Sequence, residues 1–228
     1  MRNYFILLTL GLFFMTGNTG HTNAKDHHAG TGDQTKVLIK TDKGDMTVAL
    51  HNETPKHRDN FIQLVEDGFY EGLLFHRVIE GFMIQTGDPM SKDAVPGEPL
   101  GSGGPGYTIP AEFVPELIHQ KGALAAARQG DQVNPEQRSS GSQFYVVHGR
   151  RWSDAELDQM DARRDTPLTE SQRETYKTKG GVPHLDEAYT VFGQVVEGME
   201  VIDRIAAMET DDRDRPAEDV RINEITVL

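Results

Sequence analysis

The run Phe75-His76-Arg77-Val78-Ile79-Glu80-Gly81-Phe82-Met83-Ile84-Gln85-Thr86-Gly87-Asp88 restricts the fold of this chain more than any other segment. Side chains alternate between two faces along a strand. Two strands joined at Glu80-Gly81 would place Phe75, Arg77 and Ile79 on one face, and Met83 and Gln85 on a common face after the turn. That sets a guanidinium beside an apolar platform. Partly desolvated there, its donors are worth more than in water.

The rest of the chain reads as short strands with few helices. Strand-like runs occupy residues 37–40 and 46–50 about an Asp42-Lys43-Gly44-Asp45 turn, then 121–127, 143–147, 189–196 and 220–228. A helix is predicted from Thr54-Pro55 to Gly68, with Thr54 as N-cap, Pro55 in the first turn, and Phe61, Ile62, Leu64 and Val65 on its apolar face. A second amphipathic helix is predicted over residues 197–208. Many strands with two helices far apart in sequence give a mainly β domain, closed or nearly closed. Residues 150–182 break the pattern. Ser153 with Glu156, and Thr169 with Gln172, read as capping boxes, and Gly180-Gly181 reads as a stop, so a helical hairpin is expected as an insertion. The glycine-rich stretch 97–106 lacks the Lys-Ser/Thr and following helix of a phosphate-binding loop and reads as plain loop.

Composition narrows the chemistry. A formal net charge of −13 over 228 residues disfavours a nucleic-acid partner. The absence of cysteine rules out disulfides, zinc–thiolate sites and thiol nucleophiles. No G-x-S-x-G, H-E-x-x-H or EF-hand pattern occurs, so neither a hydrolase nor a metal or cofactor enzyme is expected. At the N-terminus, Arg2 precedes an apolar run from Tyr4 to Met15 that is short for a membrane span. Residues 1–24 are read as a signal peptide, 25–35 as a flexible linker and 36–228 as one domain. The expectation is a periplasmic or secreted protein without a stable membrane anchor. Cleavage after Ala24 would start the mature chain Lys25-Asp26-His27, a geometry suited to Cu(II) or Ni(II), against the blander reading of a solvated linker.

Three ordered blocks carry a resemblance. The run 75–88 is similar to the signature F-H-R-[VI]-I-x-G-F-M-x-Q-x-G-D. Gly141-Ser142-Gln143-Phe144-Tyr145-Val146 is similar to G-S-Q-F-[FY], and Val191-Phe192-Gly193-Gln194-Val195-Val196-Glu197-Gly198-Met199 to V-F-G-x-V-x-x-G-M. With these blocks the chain resembles the cyclophilins, peptidyl-prolyl cis-trans isomerases, over residues 36–228. The resemblance implies a closed eight-stranded antiparallel barrel capped by two α-helices. It also implies an enzyme without cofactor, expected as a monomer, that acts on X-Pro bonds of unfolded or flexible polypeptides. A proline-segment binding module or chaperone on the same fold is the alternative, and a metal-carrying surface protein, based on His21, His27 and His28, is a weaker one.

Residue by residue, Arg77 falls on the family's catalytic arginine, and Gln85 on the glutamine that orients it. Phe82, Met83, Tyr145 and Leu185 match proline-pocket positions, and Gln143 a glutamine on the active face. Ala127-Arg128 stands for the common Ala-Asn pair, and Tyr189 for a frequent histidine. His184 takes the place of the tryptophan associated with tight cyclosporin binding. Tyr145, where many members carry phenylalanine, must bring its hydroxyl to water or to a partner at the rim. His76, next to Arg77, is expected to face the other way as a satisfied structural histidine.

Overall fold

The computed structural model describes residues 32–228. The signal-peptide reading, most of the linker, and His21, His27 and His28 lie outside the described residues.

The chain opens with the hairpin β1 (Lys36–Thr41) and β2 (Gly44–Leu50), whose turn is closed by the Thr41 hydroxyl donating to the Gly44 carbonyl at 2.7 Å. Helix α1 (Pro55–Glu66) follows and ends before Gly68, at φ +68°. Thr54 stands at its N-cap position, but its buried hydroxyl makes no cap bond. The cap comes from a distance: the Glu112 carboxylate accepts from the backbone N–H groups of Lys56 and His57 at 3.1 and 3.0 Å. Those donors have no partner within the helix.

The remaining elements are β3 (Arg77–Ile79), β4 (Met83–Thr86), β5 (Thr108–Ile109), β6 (Ala123–Ala126), β7 (Ser139–Ser140), β8 (Phe144–Val147), α2 (Asp154–Asp161), α3 (Glu170–Thr178), β9 (Val191–Glu197), α4 (Met199–Ala206) and β10 (Ile222–Val227). Eight strands form one antiparallel sheet in the order β10-β1-β2-β9-β6-β8-β4-β3, and β5 pairs with β7 in a small separate ladder. The sheet curls strongly, but the expected closure is not found. Its edges, β3 and β10, do not pair as strands. The gap is spanned by loop bonds instead: Phe75 N–H donates to Val220 O, Ile222 N–H to Leu73 O, and Val78 N–H to Asp214 O. Three residues of β3 are too few to continue the ladder around.

Alternation sorts the sheet into two apolar layers. Leu124, Ala126, Phe144, Val146 and Ile84 point to the inner core, with Phe61 of α1 and Val201, Ile202 and Ile205 of α4. There Phe61 meets Phe144 and Phe192 edge-on, with ring centroids 5.3 and 5.5 Å apart. Burying each such ring is worth on the order of 2–3 kcal/mol. The intervening residues Ala123, Ala125, Tyr145, Val147 and Met83 form a second cluster on the other face, joined by Ile79, Phe82, Leu185 and Tyr189.

The insertion is the expected helical hairpin. Both capping boxes form, Ser153 with Glu156 and Thr169 with Gln172. Leu157, Leu168 and Tyr176 pack with Ile118 as a small core of their own, and Arg173 bridges Asp158 and Asp161 at 2.7 Å each. Its two ends touch. Arg150 and Gly181 exchange backbone hydrogen bonds, and a Cβ on Gly149, at φ +63°, would lie 2.4 Å from the Gly181 Cα. The sheet is thus undisturbed by the helices inserted into it.

Candidate active site

Strand register builds the site. Arg77 lies opposite Gln85, Gln85 opposite Tyr145, and Tyr145 opposite Ala125, so one row crosses β3, β4, β8 and β6 on one face. One step along, Ile79 faces Met83, and Met83 faces Val147. The row is polar at the Arg77 end and apolar below it. Gly87 (φ +92°) lets β4 end against β8; a Cβ there would strike the Ser142 carbonyl at 2.3 Å.

A cavity of about 300 Å3 sits on this face. Arg77, Phe82, Met83, Gln85, Ala127, Arg128, Tyr145, Leu185 and Tyr189 all line it, nine of the eleven residues expected from the sequence. Phe82 is held by its carbonyl, which accepts from the N–H groups of His148 and Gly149 at 3.0 Å. Arg128 donates to the Ala188 carbonyl at 2.8 Å and lies 4.5 Å over the Tyr189 ring, fixing the wall opposite the sheet. The other two expected residues lie next door. Gln143 lines an adjoining cavity of about 640 Å3 under the loop 101–108. His184 is exposed, stacks on Phe82 at 5.9 Å, and lines a larger cleft beyond it.

Three expectations are corrected. The alternation proposed for 75–79 fails before Arg77, because β3 starts only there: Phe75 turns into the inner core. For the same reason His76 does not face away. It is buried, lines the cavity with Arg77, and neither ring nitrogen has a protein partner among the described residues. Burial pushes its pKa down to about 4, so it is neutral near pH 7. The Tyr145 hydroxyl, expected at the rim, is buried 3.0 Å from His119 Nε2. His119 Nδ1 in turn lies 3.0 Å from Asp186, whose other oxygen accepts from the Tyr176 hydroxyl at 2.6 Å. A carboxylate only accepts, so Nδ1 carries the proton and, in the neutral ring, Nε2 accepts from Tyr145. Burial raises the Tyr145 pKa well above the phenolic range, and does the same at Tyr176.

The contacts of Arg77 and Gln85 also differ from expectation. Gln85 donates to the Gln143 side-chain oxygen at 3.0 Å, and Gln143 donates to the Gly101 and Gly103 carbonyls. Arg77 has as its carboxylate neighbour Asp214, at 3.4 Å, a long and half-exposed contact that orients more than it stabilises. Asp214, His119 and Asp186 had no signal in the sequence; each sits in a loop and joins the site only through the fold. Among the described residues no cluster of His, Asp or Glu is suited to a metal ion.

An arginine set at the edge of a small cavity with an apolar floor of Phe82, Met83 and Leu185, and with no nucleophile–base pair among the residues that line it, suits a reaction that twists a bond. The comparisons agree. Residues 36–227 match the family model "Cyclophilin type peptidyl-prolyl cis-trans isomerase/CLD". The chain belongs to the cyclophilin family. Cyclophilins are peptidyl-prolyl cis-trans isomerases, and this chain is an enzyme of that class. A provisionally named peptidyl-prolyl cis-trans isomerase of Staphylococcus saprophyticus is 34% identical over 203 residues, covering 86% of this chain and 93% of the relative. A provisionally named bifunctional phosphatase/peptidyl-prolyl cis-trans isomerase of Streptococcus pyogenes is 38% identical over 209 residues; the match takes in 89% of this cyclophilin but only 40% of that longer protein. The crystal structure of a cyclophilin-type isomerase from Cryptosporidium parvum superposes with a TM-score of 0.64 at 25% identity, covering 86% of this chain and 98% of that one. The same protein has been solved in the presence of the dipeptide Ala-Pro.

Proposed function

We propose that this cyclophilin accelerates rotation about X-Pro bonds in exported, folding polypeptides, as a monomer, with Arg77 as the catalytic residue and the 300 Å3 cavity as the proline socket. Amide resonance puts a barrier of about 18–20 kcal/mol on the rotation. The isomers differ little in energy at proline, so the slow rate is the whole obstacle. Rotation requires the prolyl nitrogen to pyramidalise and its lone pair to leave conjugation. A donor aimed at that lone pair stabilises the twisted state and not the planar ones, and each ~1.4 kcal/mol so gained is tenfold in rate.

The observation that carries this reading is the row Arg77, Gln85 and Tyr145, which sets the guanidinium at the edge of the cluster that holds Met83, Phe82, Tyr145 and Leu185. The apolar part would hold the pyrrolidine ring and exclude water, and the guanidinium would reach over it. Gln85 and Gln143, tied to each other and to the loop carbonyls, would offer fixed polar contacts to the client backbone. The Cryptosporidium structure with Ala-Pro supports a proline-containing ligand for this fold. Export rests on the charged-then-apolar layout of residues 1–24.

The test is Arg77→Lys, which keeps the charge and loses the planar fork. Turnover of a short X-Pro peptide is expected to drop by about 100- to 1000-fold, the size seen when one transition-state donor is removed, with native circular dichroism. Undiminished turnover would refute the donor mechanism.

A further inference from the structure

A cleft of about 720 Å3, larger than the proline socket, lies between the inserted hairpin and the loop 183–188. We infer that it is a second client subsite, taking an extended, uncharged stretch of the same polypeptide whose proline occupies the socket. The inference rests on the proposed function for the identity of the client.

Three observations point to that occupant. The cleft adjoins the socket across one segment: His184, Asp186 and Ala188 line the cleft, whereas Leu185 and Tyr189 line the socket, and His184 stacks on the socket's Phe82. A chain that leaves the socket over Phe82 and the exposed His184 would reach the cleft. Next, the cleft is held in shape. Tyr176 donates to Asp186, Trp152 Nε1–H to the Gly181 carbonyl at 2.9 Å, and Arg164 to the Pro183 carbonyl at 2.8 Å. Two of these side-chain ties join the hairpin to the segment that forms the wall and the third closes the hairpin's own base, so little ordering remains to oppose binding.

The lining also selects a polypeptide over a charged ligand. Glu156 is paired with Arg150 at 2.8 Å, and Asp186 is engaged by His119 and Tyr176. That leaves Arg163 and Arg164, without carboxylate partners among the described residues, against Asp165 and Glu187. With Asp186 counted, the cleft carries three arginines and four carboxylates, a net charge of −1, so it holds no excess of cations to draw an anion and only a slight excess of carboxylates to draw a cation. Arg164 is already engaged by the Thr166 and Pro183 carbonyls, so the exposed Arg163 guanidinium is the one left for client carbonyls, and the half-buried Met160 offers an adaptable surface to an apolar side chain.

The experiment measures the affinity of fluorescent peptides by anisotropy. It uses a short Ala-Pro peptide and two lengthened versions, one extended with uncharged, leucine-containing sequence before the proline and one after it. One lengthened peptide is expected to bind wild-type protein about tenfold more tightly than the short one, the size of one or two good interface contacts. The double variant Met160→Glu/Arg163→Glu should lose that gain and bind the short peptide unchanged. Should it fail to fold, Arg163→Ala, at an exposed position, reads the same loss. No gain on lengthening, or a gain that the variants keep, overturns the subsite. Isomerisation of the short peptide is measured separately: its absence would sink the catalytic reading while the affinity difference still decides the cleft.

Discussion

The hydroxyl of Tyr145 ties the wall of the proline socket to the inserted helices through His119, Asp186 and Tyr176. Tyr145→Phe would remove one oxygen, keep the ring, and leave His119 Nε2 buried without a partner. The expected cost is about 1–3 kcal/mol, read as a lower urea midpoint at unchanged m-value; an unshifted midpoint would mean the bond contributes nothing. That the hydroxyl needed water or a partner was legible in the sequence. Which partner was not, since His119 and Asp186 are brought to it only by long-range packing. His76 supports a second expectation at this scale. Its folded pKa, about 4, lies below the ordinary value of 6.5, so the unfolded chain binds the extra proton first. Stability from this residue is complete above pH 6.5 and is lost as pH falls towards 4, by on the order of 3 kcal/mol in all. His57, also pushed down chiefly by burial, acts in the same sense. Urea midpoints measured across that window should fall with pH, and fall less steeply in His76→Gln. An identical slope in the variant would remove His76 from the account.

Among the elements, β4 and β8 were the most readable, because each alternates cleanly between the inner core and the socket face. The short β3 was less so: a strand of three residues cannot project its periodicity back to His76 and Phe75. The ladder of β5 and β7, two residues each, left no periodic trace at all. Helix α1 shows a different limit. A local signal, Thr54-Pro55, located its start correctly, but Glu112 supplies the cap from far along the chain. The same carboxylate receives His57 Nδ1 at 2.7 Å. Glu112→Ala is therefore expected to destabilise the protein by about 2 kcal/mol, the upper range for a lost cap, whereas Thr54→Ala should change stability little. Equal effects of the two substitutions, compared by thermal melting, would return the cap to Thr54.

At the scale of the molecule, the sequence blocks located the family, the two capping helices and the inserted hairpin, while the open edge between β3 and β10 was out of reach. Strand count can be read from a sequence; whether the last strand meets the first depends on lengths of a residue or two. Gly149 and Gly181 abut, so the thirty-odd residues between them leave and rejoin the domain at a single point, and their further ties, from Tyr176, Arg164 and Gln172, go to loops and not to the sheet. A chain shortened by joining these glycines through a brief linker should fold, turn over short X-Pro peptides within a few-fold of the full protein, and lose the preference for lengthened ones. Collapse of the shortened chain, seen by circular dichroism, would contradict this. The glycine pair is in effect a grafting joint, at which a different recognition module could replace the hairpin and redirect the same catalyst to other clients.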